Sequence, residues 1–132
     1  AMDFLTSLAA ERNMSSEALP FLVKQAVQIM ERDFADLNGV EEIAGRLRVS
    51  ASHLCREFVR CLHVSPLDYL TRIRLQNAAN LLTKTNRKIE DIAVSSGFSN
   101  GNYFAKVFKK SLGSSPRDFR NNNETDNHNI TL

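Results

Sequence analysis

Cysteine, proline and one-signed charge are all scarce in this chain of 132 residues. It has two cysteines, three prolines and a net charge of only +2. Cys55 and Cys61 are six apart on what the periodicity predicts to be one helix, about 240° around its axis. They cannot bridge each other there, so no disulfide framework exists. His53 and His63 lie nearby, but on a helix these four side chains scatter around the circumference rather than converge on a metal. Structural cysteines, no metal and no cofactor are the expectation. No apolar run approaches the length needed to cross a bilayer, and the N-terminus lacks a signal-peptide layout, so a cytoplasmic chain without a membrane partner is expected. Sustained period-2 alternation is missing and β-branched runs are few, which leaves little room for a sheet.

What is present is helical periodicity and a divided charge. Hydrophobic residues make up 42% and charged ones 24%, a balance suited to one folded domain or two very small ones. Residues 40–120 hold fourteen Lys or Arg against seven Asp or Glu, a balance of +7, and the remainder carries −5. A compact basic segment fits a polyanionic partner better than a neutral one.

Leu19, Leu22, Val23, Ala26, Val27, Met30 and Phe34 recur at three- and four-residue steps, predicting an amphipathic helix over 16–34. Shorter helices are predicted over 40–47, with Ile43, Ala44 and Leu47 inward, and over 89–96, with Ile89, Ile92 and Ala93 inward. Longer ones are predicted over 51–62 and 101–112. A helix beginning at Pro66 and ending near Thr83 or Lys84 is the longest. Eighteen residues from Pro66 to Thr83 would span about 27 Å. Leu70 and Ile73 would serve one core, and Ala78, Leu81 and Leu82 another.

Two of the three prolines sit in one repeated phrase, "VSPLDYL" at 64 and "SSPRDFR" at 114. Ser65 and Ser115 suit helix N-caps, Pro66 and Pro116 the first helical position, and Asp68 and Asp118 the third. The phrase closes a longer repeat. "VEEIAGRLRVS" (40–50) lines up with "IEDIAVSSGFS" (89–99) at an offset of 49. One residue is then inserted, and Leu54, Phe58, Pro66 and Tyr69 match Phe104, Phe108, Pro116 and Phe119 at an offset of 50. Each copy has the parts of a helix-turn-helix, with a small residue (Ala44 or Ala93) on the first helix and an apolar i, i+4 pair on the second. With that pair inward, Ser52, Arg56, Val59 and Arg60 face outward in the first copy. Asn102, Lys106, Lys109 and Lys110 fill the same slots in the second. Neither set includes an acid, and both can donate hydrogen bonds to a major groove.

At these residues the chain resembles a known family. "IEDIAVSSGFSNGNYFAKVFKKSLGSSPRDFR" (89–120) looks like the signature of the AraC/XylS family of bacterial transcription regulators, and "EEIAGRLRVSASHLCREFVRCLHVSPLDY" (41–69) resembles that family's first helix-turn-helix. The resemblance covers about 16–120. It implies an all-α fold of seven helices in two helix-turn-helix subdomains joined by a long linker helix, binding two successive major-groove faces of double-stranded promoter DNA. It places base reading at Ser52, Cys55 and Arg56, with His53 beside them, and at Gly101, Asn102, Tyr103 and Lys106. His63 stands where the family usually has Gly, while Gly101 and Ala105 offer the second face little side chain.

Arg56 can grip guanine O6 and N7 bidentately, or clamp a phosphate, or pair with Glu57. Asn102 suits adenine and is equally an ordinary turn residue. Lys106, Lys109 and Lys110 suit phosphates, because Lys is a point charge without fixed geometry. Cys55 can touch a thymine methyl or pack at the core's edge, and Tyr103 can stack, bond a phosphate or lie half-buried. The expected organisation is a linker or added remnant over 1–15, a first subdomain over 16–65, a linker helix over 66–84, a second subdomain over 85–120, and a disordered tail over 121–132. The expected role is that of a DNA-binding domain without its sensor, with RNA polymerase as protein partner. Alone it is expected to be monomeric, with dimerisation belonging to the full-length protein; a stand-alone short activator is the other form. A protein-interaction module using the same basic faces, and a thiol-dependent enzyme, are the rival functions.

Overall fold

The computed structural model describes residues 20–131, with side chains over 20–123. The expected 1–15 linker, Leu19 and the predicted helix start at 16 lie outside the described residues. Among these, seven α-helices follow in order: α1 (Phe21–Asp33), α2 (Val40–Arg46), α3 (Ala51–Leu62), α4 (Pro66–Lys84), α5 (Ile89–Ser95), α6 (Gly101–Leu112) and α7 (Pro116–Thr131). The fold is all-α. The chain divides into two units after Ile73, within α4, so the long helix contributes its first half to one core and its second half to the other.

In the first unit, α1 buries Val23, Ala26, Val27 and Met30, the inner edge of the predicted stripe, while Leu22 and Phe34 pack partly against it. Asn38 then turns the chain, donating from both its backbone N–H and its side-chain amide to Glu42 in the first turn of α2 (3.1 and 3.2 Å). Ile43 and Ala44 complete the core with Leu54, Phe58 and Leu62 of α3 and Tyr69 and Leu70 of α4. Full burial of a Leu, Ile or Phe side chain is worth about 1.5–3 kcal/mol, so these few residues carry much of the unit's stability. Arg46 ties α2 back to α1 at the surface, 2.7 Å from both Asp33 and Glu42.

The second unit repeats the plan with a different filling. Leu75, Ala78, Ala79 and Leu82 of α4 meet Ile92 and Ala93 of α5, Phe98 of the turn, and Phe104 and Phe108 of α6. Phe108 meets Phe119 of α7 edge to face at 5.3 Å, as Phe58 meets Tyr69 at 5.4 Å fifty residues earlier. Such pairs add about 0.5–1.5 kcal/mol beyond area burial. Ser96 is fully buried, and its hydroxyl accepts a hydrogen bond from Asn77 of α4 (3.1 Å).

Both Ser-Pro phrases cap helices as the sequence suggests. The Asp68 N–H donates to Ser65 Oγ and the Asp118 N–H to Ser115 Oγ, each at 3.1 Å. The prolines behind them are buried. The last helix departs from expectation at its far end: α7 continues to Thr131 instead of stopping near 120 before a disordered tail. The tail has no apolar face to bury. It also has no glycine or proline after Pro116 to interrupt the backbone ladder.

Candidate nucleic-acid interface

The same turn appears in both units. After α2, Arg48 N–H donates to Gly45 O and Val49 N–H to Ala44 O (3.1 and 3.0 Å). After α5, Gly97 N–H donates to Val94 O and Phe98 N–H to Ala93 O at the same distances. The turning residue is left-handed in each, Arg48 with φ 59° and Gly97 with φ 102°. The second helix is then capped by a side chain. Ser50 Oγ accepts from the His53 N–H at 3.1 Å, and Asn100 Oδ1 accepts from the Tyr103 N–H at 2.8 Å. The caps therefore correspond at an offset of 50. Ser50 is equivalent to Asn100 rather than Ser99, and Ser99 is the inserted residue. Each helix is twelve residues long and ends on a left-handed residue, His63 (φ 61°) or Gly113 (φ 85°).

The outward slots are as the wheel places them. Ser52, Arg56, Val59 and Arg60 are exposed on α3, opposite the buried Leu54 and Phe58. His53 and Cys55 are half-buried at the margin of that face, and Cys61 packs against the first core. On α6, Asn102, Lys106, Lys109 and Lys110 are exposed opposite Phe104 and Phe108. Tyr103 is 55% exposed, its ring 6.2 Å from that of Phe98. Gly101 is half-buried beneath the side chain of Glu90 from α5.

Electrostatics distinguish the two arginines of α3. Arg60 donates from Nε and Nη2 to Glu57 Oε2 (3.0 and 2.6 Å), and that hydrogen bond holds the Glu57 carboxyl below the usual carboxylate range. Arg56 makes no hydrogen bond or ion pair among the described residues and acts on Glu57 only through its charge, so the hydrogen-bonded pairing that the sequence left open goes to Arg60. The α6 lysines likewise stand unpaired among the described residues. Arg74, on α4, lies near Tyr103; burial pulls its guanidinium below the usual arginine range, and Tyr103 acts in the opposite direction. No group of three or more His, Cys, Asp or Glu able to hold a metal occurs among the described residues, and no helix there is long and apolar enough to cross a membrane.

Four of these features differ in how far the sequence marks them. The caps Ser50 and Asn100 were legible as polar residues just before each helix, and a glycine at the first position of α6 hinted at a close neighbour. Nothing in the linear pattern marked Glu90 as that neighbour, or placed Arg74 beside Tyr103.

Two capped helix-turn-helix units with basic, acid-poor outer faces define a class of nucleic-acid-binding protein. Residues 43–122 match the family described as a helix-turn-helix domain. The transcriptional activator RhaS of Klebsiella pneumoniae is 32% identical over 115 residues, covering 87% of this chain and 40% of that protein. Among solved structures, the C-terminal domain of AraT, a response regulator from Geobacillus stearothermophilus, is 36% identical with a TM-score of 0.75, covering 79% of this chain and 87% of that one. A transcriptional regulator of Chromobacterium violaceum with an AraC-type DNA-binding domain is 29% identical with a TM-score of 0.70, covering 77% and 91%. The chain belongs to the AraC-type helix-turn-helix family of transcription regulators, and its two units form that family's DNA-binding domain. It spans 30–40% of the length of the curated relatives it matches.

Proposed function

We propose that α3 and α6 each enter a major-groove face of promoter DNA and that the chain is the DNA-reading part of a bacterial transcription activator. The observation that carries this is the recurrence of one outward face, Ser52/Arg56/Val59/Arg60 and Asn102/Lys106/Lys109/Lys110, on two capped helices of equal length. Arg56, exposed and unpaired among the described residues, reads guanine. Ser52, His53 and Cys55 line the groove wall beside it. Asn102 reads adenine, Tyr103 and Arg60 meet the backbone, and Lys106, Lys109 and Lys110 meet phosphates. The role is binding rather than catalysis, carried out in the cytoplasm. Activation would come through contact with RNA polymerase. The domain alone acts as a monomer, and dimerisation belongs to the full-length protein.

Selection of bound sequences from random duplex DNA tests this reading. It predicts enrichment of a site with two separate blocks of preferred bases. Recovery of unenriched sequence would contradict it.

A further inference from the structure

The family resemblance makes position 101 a base-reading position, yet Gly101 brings no side chain to it. The space is occupied from another helix. A methyl group placed on Gly101 would run into the Glu90 carboxylate oxygen, and would lie 3.2 Å from Glu90 Cδ and 3.8 Å from Glu90 Cα. The Glu90 carboxylate therefore stands where the side chain of residue 101 would begin. Glu90 is exposed in the first turn of α5 and makes no hydrogen bond or ion pair among the described residues. The first unit is built otherwise. Glu41 holds the place equivalent to Glu90, but Ala51, equivalent to Gly101, keeps its own methyl and packs it against the core.

We propose that Glu90 is a base-reading residue of the second unit, its carboxylate accepting a hydrogen bond from an exocyclic amino group in the major groove, cytosine N4 or adenine N6. An ionised carboxylate only accepts hydrogen bonds. The guanine edge (O6, N7) and thymine O4 are acceptors too, so they repel it, whereas cytosine and adenine each present an amino donor. Asn102 follows Gly101 on α6 and is exposed, so an amide and a carboxylate stand at the start of the same helix. The carboxylate also repels phosphate, and Lys106, Lys109 and Lys110 farther along α6 offset that repulsion. A carboxylate near a helix N-terminus can stabilise the helix through its dipole, but that effect is blind to base sequence.

The inference rests on α6 being a reading helix, and the test separates the two claims. Bound sequences are selected from random duplex DNA with the wild type, Glu90→Ala and Gly101→Ala. Alanine at 101 favours the helix and displaces only the flexible end of Glu90, so this variant keeps its fold. The wild type should prefer an amino-bearing base at one position of the second block, and its identity distinguishes cytosine from adenine. Both variants should lose that preference, by about tenfold, at that same position. The preferences of the first block should remain. Variants that keep the wild-type preference everywhere and change only overall affinity would overturn the role of Glu90. Failure of the wild type to select any sequence would overturn the reading of α6 as well.

Discussion

Arg60 donates two hydrogen bonds to Glu57 Oε2, while Arg56, on the other side of Glu57 in sequence, takes none among the described residues. One guanidinium of α3 is thus held by its own helix and the other is available to a partner. Arg56→Ala should relax selectivity at one base pair, at a cost of about 1–3 kcal/mol against the preferred site. Lys109→Ala should weaken all sequences alike. Competition binding with single-base variants of the selected site separates the two. Uniform weakening by Arg56→Ala would make it a phosphate contact.

His63 and Gly113 end equivalent helices in the same left-handed conformation, and only the glycine does so without a Cβ penalty. A non-glycine residue there costs about 1–2 kcal/mol, and glycine gives back about 0.5–1 kcal/mol as unfolded-chain entropy. His63→Gly should therefore stabilise the first unit by about 0.5–1 kcal/mol, and Gly113→Ala should destabilise the second by a similar amount. Denaturant unfolding of both variants checks the pair. A destabilised His63→Gly would show that the histidine side chain contributes contacts outweighing its backbone strain.

Arg120 closes the second unit from the far end of its sequence. Its Nε donates to Leu82 O (3.0 Å) and its Nη2 to Thr85 O (3.2 Å), satisfying carbonyls at the end of α4. Charge-assisted bonds of this kind contribute about 1.5–3 kcal/mol, so Arg120→Ala should destabilise the protein by roughly that amount. Arg120→Lys should recover only part, because an ammonium cannot reproduce the planar fork. Thermal unfolding of both variants is the measurement.

Acid should weaken the first unit's surface network. The hydrogen bond from Arg46, and then that from Arg32, holds the Asp33 carboxyl below the usual carboxylate range. A lowered folded pKa stabilises above the unfolded value, near ~3.9, and that contribution disappears as pH falls through the folded value. The pair lies at the surface, so the effect is small and screened by salt. Asp33→Asn should unfold at a lower temperature than wild type at neutral pH, with the gap closing below about pH 4. A gap unchanged by pH would remove Asp33 from the account.

The repeat was legible because packing needs the same residue types at the same places. Leu54 and Phe104, Phe58 and Phe108, and Tyr69 and Phe119 are equivalent in sequence and fill equivalent core positions. The outward faces followed from those inward ones by helical period alone. What stayed hidden depends on contacts remote in sequence. Arg120 bonds carbonyls 38 and 35 residues away, and Asn77 donates to a serine nineteen residues on. Glu90 fills a gap that only a backbone approach creates. The extended α7 was missed for another reason. Absence of an apolar face argues against packing in a core, and says nothing against a backbone ladder that no glycine or proline interrupts.

Binding of duplex DNA by the basic faces of α3 and α6 should weaken as salt rises. The most direct measurement is the dissociation constant for the selected duplex across a range of salt concentrations. Four to six of the named Lys and Arg residues neutralising phosphates would give a log–log slope of about −4 to −5. A slope near zero would contradict the account.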